Sequence, residues 1–166
     1  MTEIKKVSSE SIETIQMIAK TTWAITYKHI ISAAQMDYML NLFYSKDALE
    51  KQMYHLQHQF IVTKEENDIT GFASYSKKQD SVSEIYRLHK IYLLPNQQGK
   101  GTGKLLLDYI VADIKPQGAV QLELNVNRHN NAFYFYSKYG FRVDKEENID
   151  IGEGYFMNDY VMVRDI

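Results

Sequence analysis

The stretch Ile91-Tyr92-Leu93-Leu94-Pro95-Asn96-Gln97-Gln98-Gly99-Lys100-Gly101-Thr102-Gly103-Lys104 constrains the fold of this 166-residue chain more than any other. An apolar run enters it, and a proline and three glycines interrupt it. Beyond it Leu106, Leu107, Ile110, Val111 and Ile114 recur at helical spacing. Ala119 to Val126 then reads as a strand. Strand, glycine turn, helix and strand in that order predict a β-α-β unit, whose two strands lie parallel in one sheet.

The flanks extend this unit. Ile4 to Val7 reads as a first strand. Ser8 and Ser9 are candidate caps for a helix with Ile12, Ile15, Ala19 and Trp23 on one face. Ala33 to Leu42 reads as a second helix, and Ser45 caps a third over Lys46 to Leu56. Phe60 to Thr63 and Ile69 to Tyr75 form a hairpin around Glu66-Asn67-Asp68. Glu84 to Leu94 reads as the strand entering the glycine turn. Asn130 to Tyr139 reads as a helix closed by a left-handed Gly140. Phe141 to Asn148 and Tyr155 to Arg164 are the last strands. The expected fold is mixed α/β, with helices flanking a mostly antiparallel, twisted sheet around the central β-α-β unit. Residues 1–166 are expected to form one domain.

Composition narrows the partners. A net charge of −2 gives no strongly basic face for nucleic acid or an anionic membrane. No apolar run reaches the ~20 residues of a membrane span, and the first residues show no secretory h-region, so a cytoplasmic protein is expected. The absence of cysteine excludes disulfides, thiolate metal sites and a cysteine nucleophile. His55 and His58 sit at i, i+3, but no third ligand lies nearby, so no metal is expected.

A glycine-rich strand-to-helix turn exposes backbone N–H groups at the positive end of a helix dipole, which suits a phosphate. A dinucleotide fingerprint needs G-x-G-x-x-G, and Lys104 occupies its last glycine position. A P-loop needs glycine at Gln98 and Ser or Thr at Leu105. The spacing Gln98-x-x-Gly101-x-Gly103 instead resembles the (Arg/Gln)-x-x-Gly-x-(Gly/Ala) pyrophosphate loop of the GNAT acetyltransferases. Asn131-Ala132-Phe133-Tyr134-Phe135-Tyr136-Ser137-Lys138-Tyr139-Gly140-Phe141 resembles that family's second signature, at the expected separation. At the ends, Trp23-x-x-x-Tyr27, Tyr38-Met39-Leu40 and Asn158 to Val163 resemble the PaiA-like polyamine acetyltransferases.

The resemblance implies acetyl transfer from acetyl-CoA to an amine. That chemistry needs a positioned thioester, a base for the ammonium, a donor to the oxyanion and a proton for the thiolate. It assigns the backbone of Ile91, Tyr92 and Leu93 to the pantetheine and thioester. Gln98, Gly99, Lys100, Gly101, Thr102, Gly103 and Lys104 take the pyrophosphate, and Asn131 the pantetheine arm. Tyr136 matches the tyrosine that protonates the thiolate, a role a neutral phenol can fill. Trp23 and Tyr27 fall on the acceptor side. Relatives often carry a glutamate near Arg87 or His89, and this chain has none there. The candidates for base are therefore His89, which shares the face of Ile91 and Leu93, and Glu84. The acids Asp144, Glu146, Glu147, Asp150 and Glu153 suggest a field drawing a cationic acceptor. The expected partner is a small amine, in preference to nucleic acid or membrane, and a homodimer is compatible with the chain. Two other readings share the fold: an acetyltransferase for a protein N-terminus or an aminoglycoside, and a catalytically silent acyl-CoA sensor.

Overall fold

The computed structural model describes residues 1–79 and 82–166. Among them, seven strands and five helices follow in the order β1 (Thr2–Val7), α1 (Ile12–Thr26), α2 (Ala33–Tyr44), α3 (Lys46–Tyr54), β2 (Gln59–Glu65), β3 (Asp68–Lys77), β4 (Ile85–Leu93), α4 (Thr102–Ile114), β5 (Gln121–Asn127), α5 (Ala132–Lys138), β6 (Arg142–Gly152) and β7 (Tyr155–Asp165). Along the sheet the strands run β1-β2-β3-β4-β5-β7-β6. The pairs β1–β2, β2–β3, β5–β7 and β6–β7 are antiparallel, and β4–β5 is parallel. The expected β-α-β unit is thus β4-α4-β5. No helix among the described residues is long and apolar enough to cross a membrane.

The residues cluster into two compact units. The first comprises Met1–Ser76 with His89–Ile110, and the second Lys77–Leu88 with Val111–Ile166, so β4 and α4 each contribute to both.

In the first unit α1 buries Ile12, Ile15, Ala19 and Trp23, the face expected from their spacing, and Ile18 with them. Its cap differs from expectation. Ser9–Ser11 form a turn of 3-10 helix and Ser11 is the N-cap, without a side-chain hydrogen bond. Ser8 instead bonds Glu10, its Oγ donating to Oε2 at 2.7 Å. The serine is thus held by a partner two residues away, as short polar side chains readily are, and caps no helix N–H. Ser45 caps α3 as expected, accepting from the Ala48 N–H at 3.1 Å. Gly71 lies on β3 where a Cβ would meet Leu93 Cδ2 at 2.5 Å and the Tyr92 carbonyl at 2.9 Å. Only glycine lets β3 approach this end of β4 so closely.

In the second unit the parallel register runs Ile85↔Gln121 to Leu88↔Leu124. Helix α5 ends in a Schellman motif. Gly140 has φ 102°, its N–H donates to Ser137 O at 3.1 Å, and the Phe141 N–H donates to Tyr136 O at 3.0 Å. The Tyr136 and Phe141 rings, 5.8 Å apart, make the apolar contact that accompanies this cap. The Lys138-Tyr139-Gly140-Phe141 pattern is therefore a helix stop set by local backbone and ring contacts.

Candidate active site

The glycine turn belongs to the first unit. After Leu93 the chain makes a 3-10 turn over Pro95–Gln97, and Gln98 is extended. Gly99 and Gly101 have φ 76° and 80°, a region unfavourable to residues with a Cβ. A Cβ at either would meet no heavy atom within 4 Å, so the backbone there is open to an approaching group. The Gly101 carbonyl accepts the Leu105 N–H at 3.0 Å, which makes Gly101 the effective cap of α4. The N–H groups of Thr102, Gly103 and Lys104 open that helix and have no acceptor within it. Open glycine backbone before a helix N-terminus fits a pyrophosphate. Lys100 is exposed, and Lys104 pairs with Asp108 at 2.7 Å. The Gln98 side chain points back along the chain, its Nε2 3.5 Å from Leu93 O.

Beside the turn, the end of β4 meets an aromatic cluster. Trp23 and Tyr27 are one helical turn apart, with ring centroids at 4.7 Å. The Trp23 ring lies 6.1 Å from Tyr92 and 5.7 Å from Tyr44. The Tyr27 and Tyr92 hydroxyls are 3.1 Å apart. Both sequence-predicted acceptor-side residues thus gather around a β4 residue predicted for the thioester. Burial holds the Tyr44 phenol well above its ordinary pKa.

The two candidate bases fall in different places. His89, on β4, has Nε2 2.7 Å from Ser76 Oγ. Its ring stacks on that of His58 with centroids 3.8 Å apart. Its orientation is fixed from two sides, and it remains partly exposed. Glu84 lies in the second unit, just before β4 begins and at the opposite end of that strand from Leu93. It is ion-paired with Lys77 at 2.7 Å. The sequence pattern places it within the strand; in the structure the strand starts one residue later.

The sequence pattern does not single out Lys90. Its Nζ donates to Gln52 Oε1 at 2.8 Å and lies over the rings of Tyr44 and Phe60, at 5.2 and 5.9 Å. Burial lowers its pKa to about 7. A lysine in an alternating strand gives no hint of this, because its partners come from α2, α3 and β2.

In the second unit Tyr136 is buried on α5, with Phe135 and Phe141 as ring neighbours. Asn131 is exposed at the N-cap of that helix, without a capping side-chain bond, and its neighbour Asn130 accepts the Ala132 N–H at 2.9 Å. A polar band crosses the sheet in this unit. Arg87 donates to Asn125 at 2.7 Å, and Lys78 pairs with buried Glu123 at 3.0 Å. Asn125 also reaches Asp159 at 3.3 Å, whose pKa burial raises. Two of the five acids expected to form a field are ion-paired, Glu147 with Lys145 at 3.1 Å and Glu146 with Arg128 at 3.9 Å, and Asp150 accepts the Gly152 N–H.

The family model for the GNAT acetyltransferase domain matches residues 25–155, which run through both units. The chain belongs to the GNAT acetyltransferase family. Among curated proteins, the acetyltransferase is 29% identical over 153 residues to a spermidine N(1)-acetyltransferase of Thermoplasma acidophilum, covering 89% of this chain and 92% of that one. It is 36% identical over 92 residues to a [ribosomal protein bS18]-alanine N-acetyltransferase of Haemophilus influenzae, covering 55% and 57% of the two chains. Among solved structures, the PaiA N-acetyltransferase of Thermoplasma acidophilum in complex with coenzyme A matches with a TM-score of 0.83 at 27% identity, over 100% of this chain and 99% of that one. This enzyme is therefore a GNAT N-acetyltransferase, with the mixed, mostly antiparallel sheet expected from its sequence.

Proposed function

We propose that the acetyltransferase moves an acetyl group from acetyl-CoA to a primary amine of a polyamine or similar small amine. The observation that carries the acceptor is the match to a spermidine N(1)-acetyltransferase over nearly the full length of both chains. The aromatic cluster supports it. Half-buried Tyr27 and Tyr92, packed against buried Trp23, offer ring faces for an alkyl chain and its ammonium, and their paired phenols offer oxygen acceptors.

In this reading the open backbone at Gly99 and Gly101 and the first N–H groups of α4 hold the pyrophosphate. The thioester supplies an activated acyl group when bound. The Leu93 N–H is the donor for its carbonyl oxygen, and Asn131 holds the pantetheine arm. His89 accepts the proton that the acceptor ammonium must lose, its ring held by Ser76 and His58. Glu84, bound to Lys77 before β4, takes no part in this step. The Tyr136 hydroxyl donates the proton that the departing thiolate takes up. The new bond joins the amine nitrogen to the acyl carbon, the carbon–sulfur bond breaks, and the second proton that the nitrogen gives up returns through solvent to the Tyr136 phenolate, restoring the phenol.

The bS18-alanine acetyltransferase likeness favours a second reading, an N-terminal alanine as acceptor, over about half of the chain. Parallel kcat/KM measurements with spermidine and with an alanine-starting peptide separate the two. The proposal expects spermidine to be favoured by at least tenfold; a preference for the peptide overturns the polyamine reading.

A further inference from the structure

Strand β5 is flanked on both sides, by β4 and β7. One of its faces is apolar and buried, with Leu122, Leu124 and Val126. The other, by alternation, carries Glu123, Asn125 and Asn127. An internal strand needs no such polar row for its pairing, and a local exception of this kind marks functional sites. Glu123 is matched by Lys78 at 3.0 Å, and Asn127 Oδ1 accepts the His129 N–H at 2.9 Å. Asn125 is held differently.

Asn125 Oδ1 accepts from Arg87 Nη2 at 2.7 Å. A charged donor fixes the carbonyl end of the amide, so Nδ2 faces the other way. There it meets two carboxylates, Asp159 Oδ2 at 3.3 Å and Glu147 Oε2 at 3.4 Å. Glu147 and Asp159 are direct partners in the β6–β7 ladder, a placement in which like charges repel. Glu147 is half-buried and has its own cation, Lys145 Nζ at 3.1 Å. Asp159 is 6% exposed. Among the described residues its carboxylate makes no ion pair, and Arg128 donates to its main-chain carbonyl instead, at 3.0 Å. The second carboxylate oxygen has no donor among the described residues and is not sealed from solvent. Burial raises the Asp159 pKa in spite of Asn125 and the more distant Arg87 and Arg128. A buried carboxylate short of positive charge is a costly arrangement that a cationic ligand relieves.

Its place in the fold also suits a ligand. The β5–β7 ladder ends at Asn127↔Asp159, whereas β6–β7 continues to Gly152↔Tyr155. Asp159 therefore stands at the carboxyl end of β5, where β7 loses that neighbour. Ligands of open α/β sheets bind at the carboxyl ends of the strands, and β5 is parallel to β4. The donor set is poor for a metal ion, because among the described residues no three metal-ligating side chains gather. An ammonium brings both the charge and three N–H donors.

We propose that Asp159 is an amine-recognition residue, whose carboxylate, steadied by Asn125, receives the ammonium of a small organic amine. That this amine is the acetyl acceptor rests on the function proposed above; the recognition itself does not. Calorimetry with spermidine tests it, on the whole chain saturated with CoA so that no transfer occurs. Asp159→Asn keeps the shape and an oxygen for Asn125 while removing the charge. Asp144→Asn removes the same charge from an exposed residue of β6. Asp159→Asn should weaken spermidine binding about tenfold or more, the scale of a hydrogen bond to a charged group. Asp144→Asn should weaken it by less than about twofold, because exposed charges are screened. The Asp159→Asn protein should also melt no lower than the wild type, since a carboxylate whose pKa is raised by folding opposes folding at neutral pH. An aspartate with only a structural role would lower the melting temperature when replaced. If Asp159→Asn does not fold, Asp159→Ala carries the same expected loss of affinity. Wild-type affinity in the Asp159 variant, equal losses at Asp159 and Asp144, or no spermidine bound by the wild type overturns the proposal. Spermidine bound in this way but never acetylated would refute the acceptor reading alone.

Discussion

Lys90→Met should erase a pH dependence of stability that the wild type carries between pH 7 and 9. In the fold, burial lowers the Lys90 pKa from 10.5 to about 7; unfolding returns it to its ordinary value. Between those two values the unfolded chain binds one proton more than the folded one, so stability rises with pH. The contribution is smallest below pH 7 and fully recovered only above the unfolded pKa. A single group of this kind yields up to about 1.4 kcal/mol per pH unit. From pH 7 to 9 that amounts to about 2 kcal/mol, and to about 1 kcal/mol if water reaches the partly exposed side chain. The methionine variant keeps the contacts with Tyr44 and Phe60 but leaves Gln52 Oε1 without its donor, at a cost of about 1–3 kcal/mol that does not vary with pH. Urea unfolding of both proteins at pH 7, 8 and 9 isolates the slope from that constant. Parallel pH dependences would refute the reasoning, because they would mean that the ammonium stays charged and solvated in the fold.

Further outcomes follow from the backbone and the site. Gly101→Asp places a side chain at φ 80° and a charge in the open face of the turn, so acetyl-CoA binding by calorimetry should be lost in a protein that still folds. Gly71→Ala drives a Cβ against the Tyr92 carbonyl, and thermal unfolding should show a loss of about 1–3 kcal/mol. Glu66→Gly relieves a left-handed residue at φ 56° in the β2–β3 turn and should raise stability by about 1 kcal/mol in the same assay. Tyr136→Phe should lower kcat by about 10²-fold with little change in acetyl-CoA affinity; an unchanged kcat would leave the phenol a packing role.

The parts of this enzyme legible in its sequence are those set by local chemistry. The β4-α4-β5 unit follows from an apolar run, a glycine turn and helical spacing, and the structure has it within one or two residues. Gly140 reads as a helix stop because only its φ permits the Schellman bonds to Ser137 and Tyr136. Trp23 and Tyr27 share a helix face, so their pairing is foreseeable. What escaped depends on partners distant in the chain. Lys90 looks like an ordinary strand lysine until α3 supplies Gln52 and α2 supplies Tyr44. Gln97 resembles its neighbour Gln98, yet one is buried against Glu65 and the other is exposed. Glu84 reads as part of the strand, but its bond to Lys77 and its place before Ile85 are set by the approach of β3 to β4. Ser8 bonds Glu10 and caps nothing, because the chain makes a turn of 3-10 helix before α1 begins at Ile12.

Acetyl transfer to a small amine is tested most directly by identifying the products formed from acetyl-CoA and spermidine. Mass spectrometry and thiol titration of one reaction should show monoacetylated spermidine and free CoA in equal amounts, with neither formed by the Gly101→Asp protein. Free CoA without acetylated amine, or no turnover of either substrate by the folded wild type, would contradict the account.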